Sequence, residues 1–260
     1  MAVYIDIEQQ DLPKNYQKYK LISSKDGKSQ SVYFLDNKYI LKIFNTYTKE
    51  EYLNEKNLLK YLYVVSNSQI IDTFYINNNF CIVYNQIIGI SNKQSEEYHI
   101  VQIGIFLKKM HKLTQNKTSS NKDIFSTKYL EEMLYNSNNK KLYNIYKDTT
   151  ICLKNNGIIH GDLFQDNCKF YNNKLSGVYD FCESCNGDFI FDLAVIAMSW
   201  CYDKNTINNK KILLLMKAYN LDISLKEFKK YIKYALLYYT VSRYINKRNY
   251  KELYYKLLLI

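Results

Sequence analysis

The chain has 260 residues, 47% of them apolar and 16% aromatic, which is enough for one large core or two compact lobes and excludes a disordered chain. Its net charge of +11 rests on 36 basic residues, of which only Arg243 and Arg248 are arginine; the lysines are scattered, and Tyr, Asn and Ile are abundant too. That is the signature of coding rich in A and T rather than of a selected basic patch, so no nucleic-acid partner is expected.

No apolar run approaches the roughly 20 residues of a membrane span, since the most apolar late stretch, residues 235–245, is interrupted by Arg243; no membrane partner is expected. The first residues carry Asp6 and Glu8 where a signal peptide would carry lysines, which predicts a cytoplasmic location. Residues 20–90 are rich in strand-like runs. Residues 31–35 meet the turn Asp36-Asn37-Lys38 and continue as a second strand over 39–44. Lys42 lies in the middle of that strand between apolar neighbours, where a lysine needs a partner. Residues 48–63 read as a helix, with Tyr52, Glu55, Leu58, Leu59 and Leu62 at helical spacing. Glu55 is the expected partner of Lys42, with Glu50 and Glu51 as alternatives. A second hairpin is predicted over 74–84 around Asn77-Asn78-Asn79, followed by a linker over 84–89. From Ser95, a helix start with Glu96 and Glu97 in its first turn, the chain is mainly helical. His111 ends that helix as a structural hydrogen-bonder.

The most specific pattern is His160-Gly161-Asp162-Leu163-Phe164-Gln165-Asp166-Asn167, followed by Asp180-Phe181. Residues 168–171 read as a strand, Asn172-Asn173 as a turn and 175–179 as the returning strand. Such a hairpin brings Asn167 and Asp180 to one end of a ribbon. An Asp, an Asn five positions on and a second Asp after a hairpin suit kinase-type phosphoryl transfer. Asp162 would accept the proton of the attacking hydroxyl, and Asn167 and Asp180 would hold Mg2+ on the ATP phosphates. On that chemistry Lys42 and Glu55 anchor ATP. The segment 25–31 would cover its phosphates through backbone N–H groups, Gly27, and the Ser29 and Ser31 hydroxyls. His160 is expected to hold the loop's backbone. No Ala-Pro-Glu segment follows and the sole proline is Pro13, so a small-molecule hydroxyl is expected as acceptor rather than a peptide.

Cys182 and Cys185 form a C-x-x-C without the second close pair of a structural zinc site. The six cysteines are expected to be reduced, mostly buried thiols. Asp192 opens an apolar helix, either as its cap or as a brace for the catalytic loop. The last 45 or so residues read as two helices. The fold expected is α+β, protein kinase-like and two-lobed, with a small antiparallel-sheet lobe over residues 1–86 and a mainly helical catalytic and substrate lobe over 87–260.

The loop 160–167, Asp180-Phe181 and Asp192-Leu193-Ala194 resemble the aminoglycoside phosphotransferase and choline kinase-like superfamily. Within it, residues 1–4, 160–167, 175–181 and 192–195, Ser199-Trp200-Cys201 and Thr240-Val241-Ser242-Arg243-Tyr244 resemble the bacterial homoserine kinases of this fold. That group often has Ala in place of Gly161, a proline-containing segment where this chain has residues 66–71, and an Asn-rich loop where this chain has 27–31. The resemblance implies an ATP- and Mg2+-dependent transferase with an alcohol acceptor, L-homoserine, acting in threonine biosynthesis. Asp162 would be its base and Asn167 and Asp180 its metal ligands. Choline, ethanolamine or an aminoglycoside are the alternative acceptors. A pseudokinase binding module is the non-catalytic alternative, disfavoured because Lys42, Asp162, Asn167 and Asp180 are all present.

Overall fold

The computed structural model describes residues 4–24, 30–45, 48–149, 151–204 and 206–260. The chain divides into two compact units, Met1–Ile88 and Gly89–Ile260.

The first unit is a five-stranded antiparallel sheet with one long helix. Its strands are β1 (Leu21–Ser23), β2 (Ser31–Leu35), β3 (Tyr39–Phe44), β4 (Ile70–Ile76) and β5 (Asn79–Asn85), in the spatial order β1-β2-β3-β5-β4. Alternation of side chains along the strands creates two different faces. Tyr33, Leu35, Leu41, Ile43, Cys81 and Val83 line one face and bury against Ile7, Leu12 and Tyr16 of the preceding segment. Lys42, in register between Val32 and Ile82, belongs to the other face. Helix α1 (Lys49–Ser66) starts with a capping box in which Thr48 and Glu51 bond reciprocally. It buries Glu55, Leu58, Leu59 and Leu62.

The second unit is mainly helical: α2 (Glu97–Thr114), α3 (Thr127–Ser137), α4 (Lys140–Lys147), α5 (Phe189–Trp200), α6 (Asn209–Tyr219), α7 (Leu225–Ile245) and α8 (Lys251–Leu259). The C-terminal helical region thus holds α7 and α8 where two helices are expected, and Leu215 falls inside the preceding α6. Helix α5 is buried nearly all round, as its continuous apolar sequence requires. It packs on α7, where Phe191 meets Tyr234 and Tyr238 edge to face. Among the described residues three short antiparallel pairs lie between the helices: β6 (Gly157–Ile159) with β9 (Cys185–Gly187), β7 (Cys168–Tyr171) with β8 (Lys174–Val178), and β10 (Tyr202–Asp203) with β11 (Thr206–Ile207). Both hairpin turns of the molecule that read Asn-Asn, at 77–78 and 172–173, hold positive φ at both residues, the conformation of the tight turns that match strand twist. Asn67, Asn138 and Asn220 end α1, α3 and α6 in the same left-handed region. Among the described residues no helix is long and apolar enough to cross a membrane.

Candidate active site

In the first unit, the ammonium of half-buried Lys42 lies 5.4 Å from the centroid of the Tyr84 ring. The Tyr84 hydroxyl lies 3.0 Å from both carboxylate oxygens of Glu55. One tyrosine therefore touches both expected ATP-anchoring residues, Lys42 on the sheet and Glu55 on α1. Glu55 is only 2% exposed. Of the other two acids, Glu51 is spent on the cap with Thr48 and Glu50 is exposed. Ser31 is buried in β2, and its Oγ accepts the Ile5 N–H at 2.7 Å. Its hydroxyl oxygen therefore ties the N-terminal segment to β2. Gly27 and Ser29 lie outside the described residues.

In the second unit, Asp162 follows β6 directly after the turn His160-Gly161. Asn167 closes the short helical turn Gln165–Asn167, and its Nδ2 donates to the Asp162 carbonyl at 2.7 Å and to Asp162 Oδ2 at 3.1 Å. That contact turns the Asn167 amide oxygen to the opposite side. The hairpin β7–β8 then returns, and Tyr179 N–H donates to the Asn167 carbonyl at 3.0 Å. Asp180 is the next residue, so the ribbon does bring Asn167 and Asp180 to one end. Asp180 has φ +69°, left-handed backbone that costs about 1–3 kcal/mol outside glycine and concentrates at functional sites. Cys182 Sγ lies 3.1 Å from Asp180 Oδ1.

The loop is held from three helices. Asp192 of α5 accepts His160 N–H at 2.8 Å and Gly161 N–H at 2.7 Å, and pairs with His111 Nε2 of α2 at 3.0 Å. The helix cap is instead Asp188, whose Oδ1 accepts Ile190 N–H; Asp192, one turn inside α5, is the brace. His111 does not end α2, which runs on to Thr114; it stacks on Phe189 and meets the Tyr219 hydroxyl at 2.8 Å. His160 accepts Asp162 N–H at Nδ1 (3.3 Å) and donates from Nε2 to the Tyr179 carbonyl at 3.1 Å. Burial lowers its pKa, which favours this neutral form. Trp200 Nε1 donates to the Leu163 carbonyl at 3.0 Å, and Gln165 Nε2 to the Ser199 carbonyl at 2.6 Å.

Two contacts of this loop were not legible in its own sequence. Gly161 has φ +78°, and a Cβ there would stand 1.9 Å from the Phe125 ring, so both backbone and space require glycine. Tyr239 of α7 donates its hydroxyl to the Gly161 carbonyl and lies 3.3 Å from Asp162 Oδ1. Burial, and next the Asp162 charge, raise the Tyr239 pKa far above the usual phenol value, so it stays a neutral donor.

Removal from water, then the charges of Glu183, Asp180 and Asp166, raise the half-buried Asp162 carboxyl well above the ordinary carboxylate range. The Tyr239 hydrogen bond works in the opposite direction. A raised pKa makes Asp162 a better proton acceptor once ionised. Among the described residues no group of three or more His, Cys, Asp or Glu side chains could hold a metal. An amide oxygen and a carboxylate, Asn167 and Asp180, nevertheless suit magnesium, which is commonly held by one or two carboxylates together with phosphate oxygens and water. Cys185 and Cys168 are buried and their thiol pKa values are pushed up, to about 12 for Cys185.

The model of the phosphotransferase enzyme family matches residues 20–207. The homoserine kinase of Bartonella henselae is 31% identical over 129 residues, covering 43% of this chain and 39% of that protein. The homoserine kinase of Nitrobacter hamburgensis is 40% identical over 72 residues, covering 27% of this chain and 22% of that protein. The chain thus spans about two fifths or less of the length of these curated relatives. A solved structure, the streptomycin–ATP–APH(2'')-IIa ternary complex, superposes with a TM-score of 0.62 at 18% identity, covering 95% of this chain and 93% of that chain. The likeness establishes the protein kinase-like fold.

Proposed function

The chain belongs to the phosphotransferase enzyme family, and from that premise we propose that it transfers the terminal phosphoryl group of ATP to the hydroxyl of a small metabolite, L-homoserine. The observation that carries the reading is the junction of Asp162, Asn167 and Asp180 at one end of the β7–β8 ribbon. Asp162 takes the proton of the acceptor hydroxyl as its oxygen forms a bond to the γ-phosphorus, and the bond to the ADP oxygen breaks. Asn167 and Asp180 would hold magnesium, which supplies positive charge at the phosphate oxygens. The Lys42 ammonium, kept near Glu55 through Tyr84, pairs with phosphate. The partial relatives named homoserine kinase support the acceptor.

Arg243 supports it as well. L-Homoserine carries a carboxylate beside its reacting hydroxyl, and arginine is suited to carboxylates. Arg243 is one helical turn beyond Tyr239 on α7, hence on the same side as the residue that touches Asp162. Its Nη1 lies a long 3.5 Å from the Asn249 carbonyl, and no acid among the described residues pairs with it. Arg243→Lys is expected to raise the KM for L-homoserine about tenfold, the worth of about 1.4 kcal/mol, and to leave that for ATP within about twofold of wild type. Steady-state kinetics with each substrate varied in turn checks this, and equal effects on both would leave Arg243 a structural role.

The direct test is ADP release from magnesium-ATP with L-homoserine, choline and an aminoglycoside as acceptors. Stimulation by L-homoserine is expected. Faster turnover with choline would move the acceptor, no stimulation by any of the three would remove these acceptors, and no release of ADP at all would remove the kinase reading.

A further inference from the structure

We propose that Tyr239 is the positioning residue of the catalytic base: its hydroxyl fixes the Gly161 carbonyl and the Asp162 carboxylate together from α7. The inference rests on the phosphotransferase reading above and adds a residue that lies 77 positions from the base. The phenol has one proton and two acceptors within reach, the Gly161 carbonyl and Asp162 Oδ1 at 3.3 Å. Asp162 Oδ2 is meanwhile held by Asn167 Nδ2 at 3.1 Å. Each carboxylate oxygen therefore has a neighbour that defines the plane of the group, and each keeps a further lone pair for an incoming proton. A base fixed in one orientation needs no rearrangement as the hydroxyl arrives, and misplacement by an ångström costs rate steeply.

The ring that carries this hydroxyl is itself fixed. Tyr239 is 9% exposed, and Phe164 and Tyr238 pack edge to face on it at centroid distances of 5.0 and 5.2 Å. Phe164 belongs to the same loop as Asp162, so loop and helix locate each other through both a ring and a hydroxyl. Loss of the hydroxyl alone should leave the packing intact, which separates positioning from structure.

Tyr239→Phe in the full chain tests this. The expected result is a fall in kcat of about tenfold to a hundredfold, with the KM for L-homoserine and for ATP within about twofold and the melting temperature within a few degrees of wild type. The same ratio of variant to wild type should appear in the slow release of ADP with water as acceptor, because Asp162 is the base there too. An unchanged kcat in the folded variant would overturn the inference while leaving the kinase reading standing. A raised KM for the acceptor at unchanged kcat would also overturn it, by making Tyr239 a substrate contact. Wild-type protein that turns over with water but not with L-homoserine would remove the acceptor alone, and the ratio would still decide the role of Tyr239. Wild-type protein that releases no ADP at all would remove the reading and the inference together.

Discussion

Asp162→Asn should fold, bind ATP and turn over roughly 10²–10⁴-fold more slowly, the usual worth of a positioned general base. The substitution keeps shape. An asparagine at 162 can present its amide oxygen to Asn167 Nδ2, which now donates to Asp162 Oδ2 at 3.1 Å, and its amide nitrogen to the Tyr239 oxygen, now 3.3 Å from Oδ1. What it lacks is basicity. The present carboxyl, held above its ordinary range by desolvation and by Glu183, Asp180 and Asp166, is replaced by an amide that takes no proton at working pH. Turnover measured by ADP release, with ATP affinity by calorimetry, checks the expectation. Near-wild-type turnover in a variant of native melting temperature would sink the assignment of the base.

Asp192→Ala should damage the fold as well as the rate. The Asp192 carboxylate is fully buried and accepts from two consecutive backbone amides, His160 and Gly161, and from the His111 ring. Truncation leaves three buried donors without an acceptor, and breaking a buried pair of this kind costs on the order of 3–5 kcal/mol. For a chain of this size that corresponds to a fall in melting temperature of roughly 6–20 °C. The sign of the pH dependence follows from the same contacts. Burial pushes the Asp192 pKa up, but His111, with His160 behind it, outweighs this and the net value is lowered. The stability it supplies is then present above the unfolded carboxylate pKa of about 3.9 and is lost as pH falls through the lower folded value. The variant should accordingly show a shallower acid limb in its stability profile. Calorimetry from about pH 7 down to pH 3 measures both effects, and an unchanged transition at neutral pH would refute the bracing role.

How far these sites could be read beforehand depends on the range of the interactions. Strands β2 and β3 are local: five residues of alternating burial, and six in which half-buried Lys42 stands between buried Leu41 and Ile43, on either side of a turn at Asp36, so their bounds follow from the residues themselves. The same holds for the β7–β8 hairpin and hence for the meeting of Asn167 and Asp180. Helix α1 begins at its capping box for the same reason. The pair β6–β9 escapes a local reading, because three-residue strands from distant parts of the chain carry no periodicity of their own. The sequence leaves Asp192 either a cap or a brace, and the actual cap of α5, Asp188, lies four residues before it. Only the bonds from His160 and Gly161 show which of them braces the loop. Tyr239 stands in a run of core aromatics on α7, and nothing nearby marks its hydroxyl as the one that reaches Asp162. The 5.4 Å approach of Lys42 to Tyr84 depends on cross-strand register, which the spacing of Lys42 and Glu55 does not contain.

The left-handed turns have a consequence for how the gene can change. Twelve described residues other than glycine adopt positive φ, and eight of them are asparagine. Glycine codons begin with two guanines and asparagine codons with two adenines, so coding DNA that drifts toward A and T loses glycine early. Most residues would break the hairpins at 77–78 and 172–173 or unwind the ends of α1, α3 and α6. Asparagine does not, because its short amide tolerates left-handed backbone; it also leaves the unfolded chain fewer conformations to lose than glycine would. At Gly161, where the Phe125 ring occupies the space of any Cβ, that exchange is closed. Mutational drift in this gene is therefore bounded at each turn by the room beside the α-carbon.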